Sequence, residues 1–243
     1  MTPYQQAKQR WLSRLAALEP DLVINTGDNL GHPDAVPYVT MSLGRLLDVP
    51  GVFVWGSNDF HGPRPKNPLR YLTQPSHQPV PREPDLPWED LRKTFLDAGW
   101  VDLTEARARV RIAGCELEFR GTSDAHLNLD RYDEVAGPPD PAAAAALGVT
   151  HAPYRRVLDA MTADDLDLIV AGHTHGGQVC VPGYGALVSN CDLDPRQAKG
   201  LSTYQYAGKR TFLHVSAGVG ASPYAPVRFA CRPEVTLMTL VSR

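Results

Sequence analysis

The chain alternates between amphipathic helical segments and short apolar runs of strand length. In residues 3–18, apolar side chains recur every three or four positions, as they do on one face of a helix. An apolar run at 22–24 follows, then a second amphipathic segment at 35–47, and then a buried strand at 52–55. This β–α–β order predicts a parallel sheet with helices packed on both of its faces.

The second half of the chain continues this alternation and adds an antiparallel pair. Residues 107–112 and 115–121 alternate on either side of Ala113 and Gly114, which indicates a hairpin and, with it, a second, partly antiparallel sheet. The other expected elements are helices at 88–98 and 154–161 and strands at 100–103, 147–150, 166–171, 186–189, 203–207, 211–215 and 235–241. We expect a single α/β domain over residues 1–243.

Potential metal ligands stand at the carboxyl ends of four of the predicted strands. Asp28 and Asn58 follow the first two strands, His151 follows a later one, and His173 and His175 follow the strand that opens into a glycine-rich loop. Because open α/β sheets bind ligands beyond the carboxyl ends of their strands, we expect these side chains at one sheet edge. Taken alone, the histidines could be solvated and the aspartate a turn residue. Taken together, they favour a metal site.

Four further polar side chains are candidates for contacts with a substrate. Asn29 stands at the first strand end, and Asp124 and His126 follow the hairpin. Arg64 lies in the proline-rich segment 62–87, which fits an ordinary solvated loop as well as one that covers the site.

Composition and charge limit the kinds of binding partner that we expect. The net charge is −3, and no run of like charges marks a nucleic-acid-binding surface, so a small substrate is expected. The four cysteines are scattered without a C-x-x-C pair, which argues against a zinc knuckle and a disulfide scaffold. No apolar run is long enough to span a membrane, and the residues after Met1 lack the core of a signal peptide. As written, the chain is expected to be cytoplasmic.

Four motifs, in this order, resemble those of the calcineurin-like metallophosphoesterases. They are GDN at 27–29, GSND at 56–59, His151 followed by Ala-Pro, and GHTHGGQ at 172–178. The closing part of the chain, from residue 218, resembles the bacterial branch that often sits at membranes. The resemblance implies a two-sheet α/β sandwich with two divalent metal ions, commonly manganese, iron or zinc. It also implies hydrolysis of small phosphomonoesters or phosphodiesters.

The same resemblance assigns the metal ligands. Asp28 would bridge both ions, as a carboxylate with two oxygens can. Asn58, His151 and His173 would bind one ion, and His175 would face the other. Imidazole and carboxylate donors suit manganese, iron and zinc, so the metal is not specified.

The chain departs from the family pattern at GSND, where the family usually has Gly-Asn-His-Asp. Without a shift, Ser57 would replace the ligand asparagine. A shift by one residue keeps Asn58 as the ligand and puts Asp59 in the place of the histidine that assists the leaving group. We adopt the shifted register, so Asp59 is the candidate catalytic residue.

A second departure concerns the start of the family pattern, a strand ending in Asp-x-His whose residues bind the metal that His175 contacts. Here Met1 stands directly before the helix that should follow that strand. We therefore expect an N-terminally truncated domain that lacks the first strand and has an unpaired strand edge. A missing segment could also carry a membrane anchor or an export signal.

Two functional hypotheses follow. One is a metal-dependent phosphoesterase with a dinuclear centre. The other is a catalytically impaired remnant, with one metal or none, that acts as a binding module. The oligomeric state is not indicated by the sequence.

Overall fold

The structure is a computed structural model that describes residues 1–63, 83–221 and 227–241. Arg64, one of the candidate substrate contacts, lies outside these residues. The helices are α1 (Gln6–Leu12), α2 (Val36–Leu43), α3 (Ser57–Phe60), α4 (Trp88–Asp97) and α5 (Arg155–Ala163). The strands are β1 (Val23–Asn25), β2 (Gly51–Phe53), β3 (Val101–Asp102), β4 (Ala106–Ile112), β5 (Cys115–Gly121), β6 (Ala145–Thr150), β7 (Leu168–Ala171), β8 (Cys180–Val181), β9 (Gly185–Ala186), β10 (Gly200–Tyr206) and β11 (Lys209–Val215).

The strands form two main sheets, which confirms the predicted α/β fold. A small parallel sheet has the order β1-β2-β3, and a six-stranded sheet has the order β10-β11-β7-β6-β5-β4. In the larger sheet, β5, β6, β7 and β11 are parallel, while β4 and β10 pair antiparallel to their neighbours. Strands β8 and β9 form a separate antiparallel pair.

The apolar core has three layers, one between the two sheets and one on the outer face of each. Each sheet packs on both faces because successive residues of a strand point to opposite faces of its sheet. Val52 of β2 packs between the two sheets, in one cluster with Phe119 of β5 and Val149 of β6. The next residue, Phe53, points the other way and packs against α4 through Phe95. Helix α5 covers the outer face of the larger sheet. The two sheets therefore stack face to face, with helices outside both.

Several expected elements differ in extent. The helix predicted at 3–18 is α-helical only over Gln6–Leu12, and a separate 3₁₀ helix follows at Leu15–Leu18. The hairpin is confirmed, and its two turn residues, Ala113 and Gly114, both have positive φ. The strand predicted at 186–189 is shortened to β9, and the strand predicted at 235–241 is wrong. Residues 235–241 are mostly apolar, but a strand also needs a hydrogen-bonded neighbour, and the described residues provide none there.

The division into two sheets corrects the expected position of the site. Strands β1 and β2, which precede Asp28 and Asn58, belong to the small sheet, whereas β6 and β7, which precede His151 and His173, belong to the large one. The prediction of a single sheet edge was therefore wrong. Strand β1 pairs with β2 on one side and, among the described residues, with no strand on the other. No helix in the described parts of the chain is long and apolar enough to cross a membrane.

Candidate active site

Two glycines let the loops after β1 and β2 come into contact. A Cβ atom on Gly27, whose φ is +89°, would lie 2.5 Å from the backbone nitrogen of Gly56. A Cβ atom on Gly56 would lie 2.3 Å from Oδ1 of Asp28 and 2.4 Å from Cε1 of His151. Only glycine fits such approaches, so the backbone itself sets the distance between Asp28 and His151.

The carboxylate of Asp59 joins the same two loops. Its Oδ1 accepts hydrogen bonds from the backbone N–H groups of Asn29 (2.6 Å) and Leu30 (3.2 Å). Its Oδ2 accepts from those of Asp28 (2.7 Å) and Gly56 (3.0 Å), and the residue is fully buried. Burial and the charge of Asp28 raise the pKa of Asp59, while the hydrogen bonds lower it. Both carboxylate oxygens thus accept hydrogen bonds from backbone amides that hold the two loops together. The catalytic role of Asp59 stays a prediction.

Asp28 is the charged centre of the site. Its backbone is left-handed, with φ of 62°, which brings the carboxylate to the amide of Asn58. Oδ1 accepts from the backbone N–H of Asn58 (2.8 Å) and Oδ2 from its Nδ2 (2.7 Å). Burial acts to raise the pKa of Asp28, but His151, His173 and the hydrogen bonds from Asn58 outweigh it and lower the pKa to about 2. Asp28 is therefore ionised at neutral pH.

Two histidines are oriented by backbone carbonyl groups. Nδ1 of His151 donates to the carbonyl of Thr26 (2.6 Å), and Nε2 of His173 lies 3.2 Å from the carbonyl oxygen of Asn190 and 3.3 Å from its Nδ2. A carbonyl can only accept, so Thr26 assigns a proton to Nδ1 of His151. The other nitrogens, Nε2 of His151 and Nδ1 of His173, lie 3.2 Å apart, and the former is 3.6 Å from Oδ2 of Asp28. A carbonyl that orients the ring in this way is typical of metal-binding histidines.

The electrostatics of the two histidines differ. Burial lowers the pKa of His151, but the charges of Asp28 and Asp124 outweigh it and raise the pKa. Burial and the neighbouring His151 lower the pKa of His173 well below its usual value. Protonation is therefore favoured at His151 and disfavoured at His173.

Two separations between candidate donor atoms can be compared with those at a metal ion. Adjacent ligand atoms on a metal with bond lengths of about 2.1 Å lie roughly 3.0 to 3.4 Å apart. The 3.2 Å between His151 and His173 falls in this range, and the 3.6 Å between His151 and Asp28 lies just above it. In the described residues, however, no group of three or more His, Cys, Asp and Glu side chains stands in a ready-made coordinating arrangement. The donors instead bond to one another. The amide of Asn58 turns its nitrogen to Asp28, so it would have to rotate by half a turn for its oxygen to bind a metal.

His175 faces a residue that the sequence analysis did not identify. His173 and His175 both have left-handed backbones, with φ of 65° and 50°, a strain that clusters at functional sites. Nδ1 of His175 lies 3.4 Å from Nη2 of Arg228. Burial lowers the pKa of His175 to about 4, with Asp28 acting against it and Arg228 reinforcing it. His175 is therefore neutral. In the sequence, the signal that could have pointed to Arg228 is its charge, because it is a charged residue in a loop otherwise rich in glycine and proline.

Asp124 and His126, two of the predicted substrate contacts, lie beside the histidines. Their role as substrate contacts stays a prediction. Asp124 is fully buried, and its Oδ1 accepts from the backbone N–H of His126 (2.8 Å). Burial raises the pKa of Asp124 to about 6, opposed by His151. The ring of His126 lies 4.6 Å from that of His173, between centroids, and its Nδ1 is 3.0 Å from the hydroxyl of Tyr154. Tyr154 was not singled out in the sequence.

Asn29 is held within its own loop. Its Oδ1 accepts from Nδ2 of Asn25 (2.8 Å), and its backbone N–H donates to Asp59. Asn29 thus supports the turn that carries Asp28, and its role as a substrate contact stays a prediction.

A model of the calcineurin-like phosphoesterase family matches residues 4–177. The chain belongs to this family. The residues matched by the family model include all five candidate metal ligands and end before Arg228. Family membership makes the chain a hydrolase of phosphoester bonds.

Known proteins with similar sequences agree with the calcineurin-like assignment. The uncharacterized metallophosphoesterase YkuE of Bacillus subtilis (strain 168) is 26% identical over 235 residues, which cover 92% of this chain and 69% of that protein. The phosphodiesterase YaeI of Escherichia coli (strain K12) is 38% identical over 152 residues, covering 61% and 50%. Among solved structures, a 5'-nucleotidase precursor from Thermus thermophilus aligns with a TM-score of 0.45 and 14% identity, over 86% of this chain and 42% of that one.

Proposed function

We propose that this phosphoesterase hydrolyses phosphodiesters in a reaction that requires a divalent cation at Asp28, Asn58, His151 and His173. The observation that carries the proposal is the convergence of two oriented imidazoles on an ionised carboxylate, with Nε2 of His151 3.2 Å from His173 and 3.6 Å from Asp28. The name of the Escherichia coli relative, a phosphodiesterase, supports this choice of substrate class. Manganese, iron and zinc all accept such donors.

The chain's own residues prepare the site for this chemistry. Asp28 remains charged because its pKa is about 2, and the carbonyls of Thr26 and Asn190 hold the two rings in place. A divalent ion held there would acidify water and withdraw charge from the phosphoryl oxygens. His175 would face a second ion, with Asp28 between the two positions.

The leaving group constrains the substrate. Both oxygens of Asp59 accept backbone hydrogen bonds, so this residue does not supply a proton to the departing oxygen. Esters whose leaving groups have a low pKa need no such proton. We therefore propose that aryl phosphodiesters are cleaved faster than alkyl ones.

The second candidate function is a binding module that is catalytically impaired, with one metal or none. It is favoured by one observation. The donors already satisfy one another, because Asn58 donates to Asp28 and His151 contacts His173.

Turnover of bis(p-nitrophenyl) phosphate separates the two functions. The protein is treated with a chelator, and Mn²⁺, Fe²⁺ or Zn²⁺ is then added back. We expect hydrolysis only with metal, and a loss of about 100-fold or more in Asp28→Ala, because a ligand and the main negative charge are removed. Asp34→Ala is the matched control, since Asp34 is exposed and contacts His32, which is not a candidate metal ligand.

Two results would contradict the phosphodiesterase proposal. Turnover that survives the chelator would show that the cation is not required. Metal binding without hydrolysis of any tested ester would favour the binding module.

A further inference from the structure

We propose that Arg228 binds a non-bridging oxygen of the substrate's phosphoryl group. The inference rests on the proposed function, since it takes the space beside His175 and Asp28 as the place where a phosphoester lies. It adds a residue outside the matched family region, which ends at residue 177.

Backbone carbonyl groups fix the guanidinium of Arg228. Nη2 donates to the carbonyl of Ala217 (2.6 Å) and also contacts that of Gly220, to which Nε donates at 3.1 Å. Ala217 lies just beyond the end of β11, so the arginine is anchored to the carboxyl end of a strand in the large sheet. A planar group held at one edge cannot rotate freely, and its remaining edge has a defined direction.

One donor of the guanidinium is left over. Nη1 of Arg228 is buried, and the described residues offer it no hydrogen-bond partner. A buried donor without a partner is unfavourable, the more so when it carries charge. Arg228 also forms no ion pair with a carboxylate in the described parts of the chain, whereas the buried Arg120 pairs with Glu118 (2.6 Å) and Asp164 (3.2 Å). Glu234 acts on the charge of Arg228 without forming an ion pair with it. An anionic oxygen would satisfy the remaining donor and pair directly with the charge.

The position of Arg228 suits a phosphoryl group. Its Nη2 is 3.4 Å from Nδ1 of His175, so the guanidinium borders the histidine loop. The thiol of Cys231, three residues on, donates to the carbonyls of His175 (3.3 Å) and Gly176 (3.4 Å), which fastens the segment of Arg228 to that loop. An arginine fork matches the oxygens of a phosphate.

The test uses the full chain with Arg228→Met, Arg228→Lys and Arg228→Gln. Arg232→Met is the matched control, because Arg232 lies in the same segment and is exposed. Four quantities are measured: the Kd of inorganic phosphate by titration calorimetry, KM and kcat for bis(p-nitrophenyl) phosphate, and metal content by elemental analysis. Arg228→Gln keeps a donor for the carbonyl of Ala217 and serves if the methionine variant unfolds.

We expect Arg228→Met to weaken phosphate binding and raise KM by about 10- to 100-fold, the loss typical of one hydrogen bond to a charged group. Arg228→Lys should recover part of the affinity, and metal content should not change. A Kd for phosphate within twofold of the wild-type value would overturn the inference. So would loss of metal in Arg228→Met, since Arg228 would then act by supporting the metal site.

Failure of the proposed function would look different. A wild-type protein that hydrolyses no ester but binds phosphate through Arg228 would leave the inference standing and refute the hydrolysis. A wild-type protein that hydrolyses the ester, with unchanged KM and phosphate affinity in Arg228→Met, would refute the inference alone. Phosphate that does not bind the wild-type protein also refutes it.

Discussion

The carboxylate of Asp59 fixes two loops by accepting four backbone hydrogen bonds, and this explains why Asp28 keeps its strained conformation. A left-handed backbone at a non-glycine residue persists only when its surroundings determine it. Here the N–H of Asp28 and those of its next two neighbours all bind Asp59. The sequence shows that Asp59 directly follows the candidate ligand Asn58. It does not show in which direction the side chain of Asp59 points.

Asp59→Asn is expected to destabilise the protein. An amide has one acceptor oxygen, so two of the four backbone donors would lose their partner and face an N–H group. The free energy of unfolding should fall by about 2 to 5 kcal/mol, measured by urea denaturation, and the affinity for Mn²⁺ should fall with it. Asp85→Asn, which keeps an oxygen to accept from the N–H of Gly62, is the control. Unchanged stability and metal affinity with lost turnover would instead return Asp59 to an acid role.

At the residue scale, the sequence located the metal-ligand candidates and missed the groups around them. Asp28, Asn58, His151, His173 and His175 each follow a strand, and strand ends are visible in the hydrophobic pattern. Arg228 reaches the site from a distant part of the chain. Tyr154 is only three residues after His151, but its contact, His126, is 28 residues away. Arg228 is 53 residues from its contact His175, and no local pattern records such a fold-back.

At the element scale, the strands were predictable and their partners were not. Apolar runs show where a strand is buried, but β2 and β6 have similar patterns and belong to different sheets. Sequence order suggested one continuous sheet edge. The apolar residues between the sheets, such as Val52 and Val149, are buried by packing against each other. The pattern of one strand alone does not show which other strand it will pack against. The hairpin was predictable because its turn is local.

Gly56→Ala tests whether the contact between loops positions the ligands. The added methyl group would lie 2.3 Å from Oδ1 of Asp28 and 2.4 Å from Cε1 of His151, so one of these groups must move. We expect Mn²⁺ affinity to fall at least about tenfold, because displaced ligands lose geometry, as removal of supporting contacts does. Gly62→Ala is the control, since its methyl group would meet its nearest neighbour, Asp85, at 3.5 Å. Equal Mn²⁺ affinity in both variants would show that the close approach is not needed.

At the scale of the whole molecule, the site lies where the carboxyl ends of two stacked sheets open together. The small sheet contributes Asp28 and Asn58, and the large sheet contributes His151 and His173. A ligand bound to all four would therefore link the sheets and stabilise the folded state, by about 2.7 kcal/mol at a concentration of 100 times its Kd. Stability and metal binding should be coupled in this protein.

The number of metal ions per chain is the last prediction. Four donors are proposed for one ion, whereas the donors predicted for a second ion are Asp28 and His175. Two protein ligands seldom hold a divalent ion, since tight sites use three or four. We expect at most one tightly bound ion per chain, measured by elemental analysis after dialysis, together with a rise in Tm on adding Mn²⁺. Asp28→Ala should hold none and show no rise in Tm, while His175→Ala should keep the single ion. Two ions per wild-type chain, with one lost in His175→Ala, would show instead that Asp28 and His175 suffice for a second site.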